Sequence, residues 1–183
     1  MSHTANLMAL MEAKFGAPDK LTYSQQVDSH EFNRIGRSLS RGRIHDITLF
    51  IAKDDGFVFI AKHSYPPGLF RAPSGGLNKD EDFIVGAKRE AFEETGLEIE
   101  LEKYLLRIQV RFYSDDRHID WTTHVFTARA LFGDIKPHDT YEIREARLVK
   151  LDEIPKFQDI MRISKIGGFQ YRAFLTDEVL KRL

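Results

Sequence analysis

Three glutamates, Glu90, Glu93 and Glu94, stand at helical spacing immediately before Gly96, within a stretch from Gly75 to Leu97 that reads GGLNKDEDFIVGAKREAFEETGL. On a helix such spacing brings like charges together, at a cost of roughly 0.2–0.5 kcal/mol per pair. The last turn before a glycine stop also carries the negative end of the helix dipole, which favours Lys, Arg or His. A bound cation reverses both penalties, whereas a solvated acidic face leaves them standing. Oxygen-only ligands select hard cations, Mg²⁺ or Mn²⁺, which complete their coordination on a substrate, usually through phosphate.

The rest of the stretch shapes that chemistry. At 100° per residue, Ala87 and Ala91 share one side of the helix with the carboxylate stripe beside them, so small side chains would let the helix lie close to a sheet. Arg89 is one turn from Glu93 and can pair with it, but one arginine cannot neutralise three carboxylates. Upstream, Pro73-Ser74-Gly75-Gly76 can turn main-chain groups toward a ligand. Ser74 is no nucleophile-elbow serine, because Ala72 stands where that pattern needs glycine.

The elements that must hold the stripe follow from periodicity. Ile47–Ala52 and Phe57–Ile60 are short β-rich runs joined through Asp54-Asp55-Gly56, a hairpin signal. A proline-rich loop at Tyr65-Pro66-Pro67-Gly68 precedes the helix expected from about Asp80 to Thr95. Leu97–Tyr113 offers one or two strands, Ile119–Leu131 and Arg147–Leu151 offer more, and Lys156–Ile166 and Gln170–Leu183 read as helices. Strands on either side of one internal helix, with helices closing the chain, predict a mixed α/β (α+β) sandwich with a mixed central sheet between helices. Residues 1–40 read as an N-terminal helical extension, with a helix at Ala5–Phe15 and a second arginine-rich segment at Ser29–Arg43 that Asp28 or Ser29 could cap. The extension suits packing or homodimer formation, or else a substrate-binding arm, and residues 41–183 form the main domain.

Composition narrows the partners. The 183 residues carry 27 basic and 28 acidic side chains, so the net charge of -1 points to neither nucleic acid nor a membrane surface. The absence of cysteine excludes disulfides, zinc-thiolate sites and cysteine nucleophiles. No apolar run approaches the roughly 20 residues of a membrane span, and the start makes a poor signal peptide, so the expectation is a cytoplasmic protein.

Gly75, Glu81, Arg89, Glu90, Glu93, Glu94, Gly96 and Leu97 fit the spacing Gx5Ex7REUxEExGU, and the chain is identified by it as resembling the Nudix hydrolases. Ala91 at a bulky aliphatic position is the one departure, and it concerns packing. The resemblance, which extends over roughly Arg43 to Leu183, implies an α/β/α sandwich and hydrolysis of a nucleoside diphosphate linked to another group X, with Mg²⁺ or Mn²⁺ on the signature helix. It implies that Glu90 and Glu94 are metal ligands and that Glu93 is a ligand or shares the role of base. Arg89 would orient them, Glu81 would support the loop-helix junction, and the Ser74 carbonyl would be a further ligand. A later acidic ligand is expected at Glu142, with Asp139 and Glu145 behind it.

Other candidates rest on position alone. Arg43, His63 and Arg71 lie where they could contact phosphates, or could be ordinary surface charges. Tyr65, Phe70, Phe112, Tyr113 and Trp121 could stack on a base, although aromatics beside strands are more often core. Trp121, between Asp120 and two threonines, looks freest to stack, and Tyr113 lies near a tyrosine position of the family's dinucleoside polyphosphate hydrolases. The substrate expected is a small nucleotide derivative such as ADP-ribose, a nucleotide sugar or a dinucleoside polyphosphate. The alternative is a non-catalytic Nudix-like nucleotide sensor.

Overall fold

A computed structural model describes residues 3–40, 45–78 and 81–183 of the chain. Helices α1 (His3–Phe15) and α2 (Ser29–Ser40) flank a strand, β1 (Asp19–Gln26). Strands β2 (His45–Lys53), β3 (Gly56–Lys62) and the short β4 (Ser74–Gly76) lead into α3 (Phe83–Thr95). Then come β5 (Glu98–Ser114), β6 (Arg117–Phe132), β7 (Ile143–Val149), α4 (Ile154–Ile163) and α5 (Gly167–Leu180). The seven strands form one mixed sheet in the order β1-β5-β6-β2-β3-β7, with β4 paired to β2.

The sheet is sandwiched as expected. One face packs against α3 and α1 through Ile47, Leu49, Val58, Phe126, Ala87, Ala91 and Met11. The other packs against α2, α4 and α5 through Phe50, Phe59, Ile108, Phe32, Phe157 and Leu175. Ala87 and Ala91 are fully buried, so the small side chains do bring α3 close to the sheet. Among the described residues no helix is long and apolar enough to cross a membrane.

The first forty residues are not helical throughout. Asp19–Gln26 forms an edge strand parallel to β5, from Asp19 opposite Leu106 to Gln26 opposite Tyr113. Its local pattern is polar, and Leu21, Tyr23 and Gln25 turn inward, where Tyr23 stacks on Phe174 at 3.9 Å. Helix α2 is held as firmly. Asp28 accepts the Glu31 N–H at 2.8 Å, and the buried Glu31 carboxylate accepts the Gly167 and Gly168 N–H groups at 3.0 Å each, closing the N-terminus of α5.

A histidine pair, with His124 buried and His45 partly so, joins β6 to β2. The hydroxyl of Tyr104 bonds His124 Nδ1, and His124 Nε2 lies 3.0 Å from His45 Nδ1. Burial holds His124 well below its ordinary pKa of 6.5, with His45 and Arg107 adding to the effect, and burial lowers His45 against the pull of Asp46. Both rings are therefore neutral in the fold at a pH where the unfolded chain already takes up protons. Stability is whole above the unfolded value and falls as pH drops below it, by up to about 1.4 kcal/mol per pH unit for each ring. Urea unfolding at pH 6.5 and 5.5 should show this loss, and His124→Gln, which cannot protonate, should show a shallower fall; equal slopes would remove the pair as the cause.

Candidate active site

The signature helix starts where the Asp82 carboxylate accepts the N–H groups of Ile84 and Val85 at 2.8 and 3.2 Å. It stops at Gly96, whose φ of 79° is a left-handed conformation that glycine adopts without strain. The acidic last turn is answered by backbone donors: the N–H groups of His138 and Asp139 bond the Glu93 carbonyl at 3.0 and 2.9 Å, and Lys136 bonds Thr95 at 2.9 Å. These amides satisfy carbonyls that the helix leaves open and offset part of its dipole.

Strand β4 brings the loop to the stripe. Ser74, Gly75 and Gly76 pair with Thr48, Ile47 and Asp46 of β2, which sets the loop edge over the N-terminal half of that strand. The Ser74 N–H donates to Glu94 Oε2 at 2.8 Å. A Cβ added at Gly75 would overlap the Glu90 carboxylate, so glycine is what lets that side chain lie against the loop.

Arg89 is the hub of the stripe. It makes a two-pronged pair with Glu81, both bonds 2.8 Å, and reaches Glu90 at 2.8 Å and Glu93 at 3.2 Å. Its hydrogen bond to Glu81 pulls that carboxyl down to about 2. Burial pushes Glu90 up from the usual carboxylate range while Arg89 opposes the shift. Glu90 and Glu94 are buried, whereas the Glu93 side chain is 46% exposed.

Two more cations converge on Glu94. Arg71 donates to Ser74 Oγ at 2.7 Å and to the Ala72 carbonyl at 2.6 Å, bonds the Tyr65 hydroxyl through Nε, and lies 3.9 Å from Glu94. Lys62, at the end of β3, places Nζ 3.4 Å from Glu94 and 2.5 Å from Glu142. Around this junction Glu81, Glu90, Glu93, Glu94 and Glu142 face Lys62, Arg71 and Arg89, an excess of two negative charges. Oxygen-only donors with that excess fit one hard divalent cation. Among the described residues no three acidic or histidine side chains converge as a ready cage.

A cleft of about 730 Å³ opens from this junction. Ser74, Gly75, Gly76, Lys62, Arg71 and Glu142 line one end, and Tyr65, Phe112, Trp121, Phe169 and Tyr171 form an aromatic wall. Trp121 is fixed by its indole N–H, which donates to Asp46 at 2.9 Å; Asp46 also accepts from Thr123 at 2.6 Å and from Arg172 at 3.0 Å. The opposite wall belongs to α2, through His30, Arg34, Ile35 and Ser38. A second hollow of about 530 Å³, between β1, β5 and β6, touches none of the signature residues.

The structure sorts the remaining candidates. His63 is engaged on backbone, its N–H donating to the Glu142 carbonyl and its ring 3.1 Å from the Thr140 carbonyl, so it fixes the loop that carries Glu142. Tyr113 does not line the cleft; alternation along β5 sends Phe112 there instead. Phe70 is core. Asp139 caps the turn before Glu142 by accepting the N–H groups of Tyr141 and Glu142, and Glu145 pairs opposite Ala61 on an exposed strand position. Arg43 lies outside the described residues. Lys62 and Asp46 escaped the sequence reading.

Comparison with known proteins agrees with this geometry. The NUDIX domain family matches residues 43–166. The Mycobacterium tuberculosis protein called mutator protein MutT4 is 29% identical over 102 residues, covering 54% of this chain and 41% of that relative, so the chain spans less than half its length. A Mus musculus protein named oxidized purine nucleoside triphosphate hydrolase is 26% identical over 122 residues, 67% of this chain and 74% of the relative. A NUDIX hydrolase crystal structure from Nitrosomonas europaea superposes with a TM-score of 0.51 at 20% identity, over 69% of this chain and 67% of that one, a likeness of fold. Since the family match takes in the loop, the helix it feeds and most of the sheet beneath them, the chain belongs to the NUDIX domain family.

Proposed function

We propose that this chain is a Mg²⁺- or Mn²⁺-dependent pyrophosphohydrolase that cleaves a nucleoside diphosphate linked to another group X, the class of ADP-ribose, nucleotide sugars and dinucleoside polyphosphates. One observation carries the reading: the glutamate stripe of α3 backs onto the Ser74–Gly76 loop at one end of a nucleotide-sized cleft. The Mus musculus relative named as an oxidized purine nucleoside triphosphate hydrolase also points to a nucleotide, although its name gives a triphosphate rather than a diphosphate linked to X.

Glu90, Glu93, Glu94, Glu142 and the Ser74 carbonyl would hold the cation. When bound, a divalent cation supplies charge neutralisation at the phosphoryl oxygens and acidifies water. Arg71 and Lys62 present further positive charge to the anionic diphosphate. Arg89 keeps Glu90 and Glu93 oriented, and Glu81 anchors Arg89 to the loop. Glu93 is the most exposed of the three glutamates and has only a 3.2 Å bond to Arg89, so its carboxylate is the one placed to take a proton from the attacking water. Trp121 offers a base a ring held flat by Asp46. Helix α2 brings part of the first forty residues to the cleft, and its side chains then bear on X.

The test is phosphate and nucleotide release, with and without Mg²⁺, across nucleoside triphosphates, ADP-ribose, nucleotide sugars, dinucleoside polyphosphates and capped RNA. Metal-dependent turnover of at least one of these is expected. Inactivity across the panel with tight nucleotide binding retained would point to the sensor instead.

A further inference from the structure

The ammonium of Lys62 stands between two carboxylates that come from different parts of the chain. Its Nζ lies 2.5 Å from Glu142, on the loop before β7, and 3.4 Å from Glu94, on α3. The Lys62 side chain is only 15% exposed and that of Glu94 only 5%. Two carboxylates brought this close in a partly dry setting repel strongly without a cation between them. Lys62 is the residue that makes their approach tolerable.

The same two carboxylates are the proposed ligands from the helix and from the later loop. An ammonium bridging them takes the position that a shared cation would fill, and charges of like sign cannot both sit there. The backbone around Lys62 is fixed, since β3 pairs it opposite Ile143 and the Lys62 carbonyl accepts the Tyr65 N–H at 3.0 Å. The long side chain is therefore the part that moves. Swung away from the carboxylates, its head stays at the cleft wall beside Arg71 and the Ser74–Gly76 loop, where a diphosphate would meet it.

We infer that Lys62 is a resident counter-cation: it preassembles Glu94 and Glu142 before metal arrives, opposes metal binding while it bridges them, and is released by the metal to the substrate's phosphates. It is a positioning residue, and the inference rests on the proposed metal-dependent reading of the site. Arg89, by contrast, stays locked to Glu81 by two bonds and is not free to exchange in this way.

The test is direct Mn²⁺ titration followed by electron paramagnetic resonance, on the whole chain and without substrate. Lys62→Met should bind the first Mn²⁺ at least about fivefold more tightly than the unmodified protein, because a like charge has left the site. In chelator the same variant should melt at a lower temperature than the unmodified protein, and saturating Mg²⁺ should narrow the gap. Lys62→Arg should restore weaker Mn²⁺ binding. Equal Mn²⁺ affinity in the unmodified protein and Lys62→Met would overturn the inference and leave the hydrolase reading standing. Failure of the unmodified protein to bind Mn²⁺ at all would overturn both.

Discussion

Replacing Glu94 by Gln should lower Mg²⁺-dependent turnover at least about 100-fold, on the scale of a lost charged group at a reacting centre. The fold has little reason to collapse. The amide oxygen of Gln can still accept the Ser74 N–H that Glu94 takes at 2.8 Å. What disappears is the negative charge that Lys62 at 3.4 Å and Arg71 at 3.9 Å both face. Both cations are mostly buried, so the loss of their counter-charge should cost about 1–3 kcal/mol in a urea melt. Glu93→Gln makes the contrast. Its side chain is half exposed and bonds only Arg89, so stability should change by less than about 0.5 kcal/mol while turnover still falls at least about 100-fold. Near-normal turnover in either variant, measured on whichever substrate the panel identifies, would sink the assignment of the stripe.

The stripe was legible in the sequence because everything that makes it is local. Helical spacing puts Glu90, Glu93 and Glu94 together, Asp82 caps the start, and Gly96 stops the helix within the same stretch. Other features depend on partners distant in the chain. Strand β1 is polar along most of its length and becomes a strand because β5 offers it an edge. The fate of Tyr113 turned on a register shift between Tyr104 and Leu106. Without that shift, Tyr104 and Phe112 would share a face; with it, Tyr104 packs beneath α3 while Leu106, Ile108, Val110 and Phe112 face the other layer and the cleft. A bulge of this kind leaves no mark in composition or periodicity. Lys62 was illegible for the same reason, since its meaning comes from α3 and the loop before β7 meeting at one point.

Gly75→Ala should separate the site from the fold. The position needs no left-handed backbone, and the neighbour that a Cβ would strike is the Glu90 carboxylate, the far end of a flexible side chain. That side chain can turn aside at modest cost, so the protein should melt within a few degrees of the unmodified chain. The turn is what matters for chemistry. Glu90 is buried, held at 2.8 Å by Arg89, and a rotation that clears a new methyl group breaks its alignment with Glu93 and Glu94. Displacement of about 1 Å at a positioned catalytic group is enough to cost on the order of 100-fold in rate. Turnover should therefore fall by at least about tenfold and Mn²⁺ affinity should fall with it, while the urea midpoint barely moves. Gly76→Ala is the control, because alternation along β4 turns a methyl there to the face opposite that of Gly75, and it should lose less. Equal losses in the two variants would mean that the loop, rather than the seat it gives Glu90, is what the glycine serves.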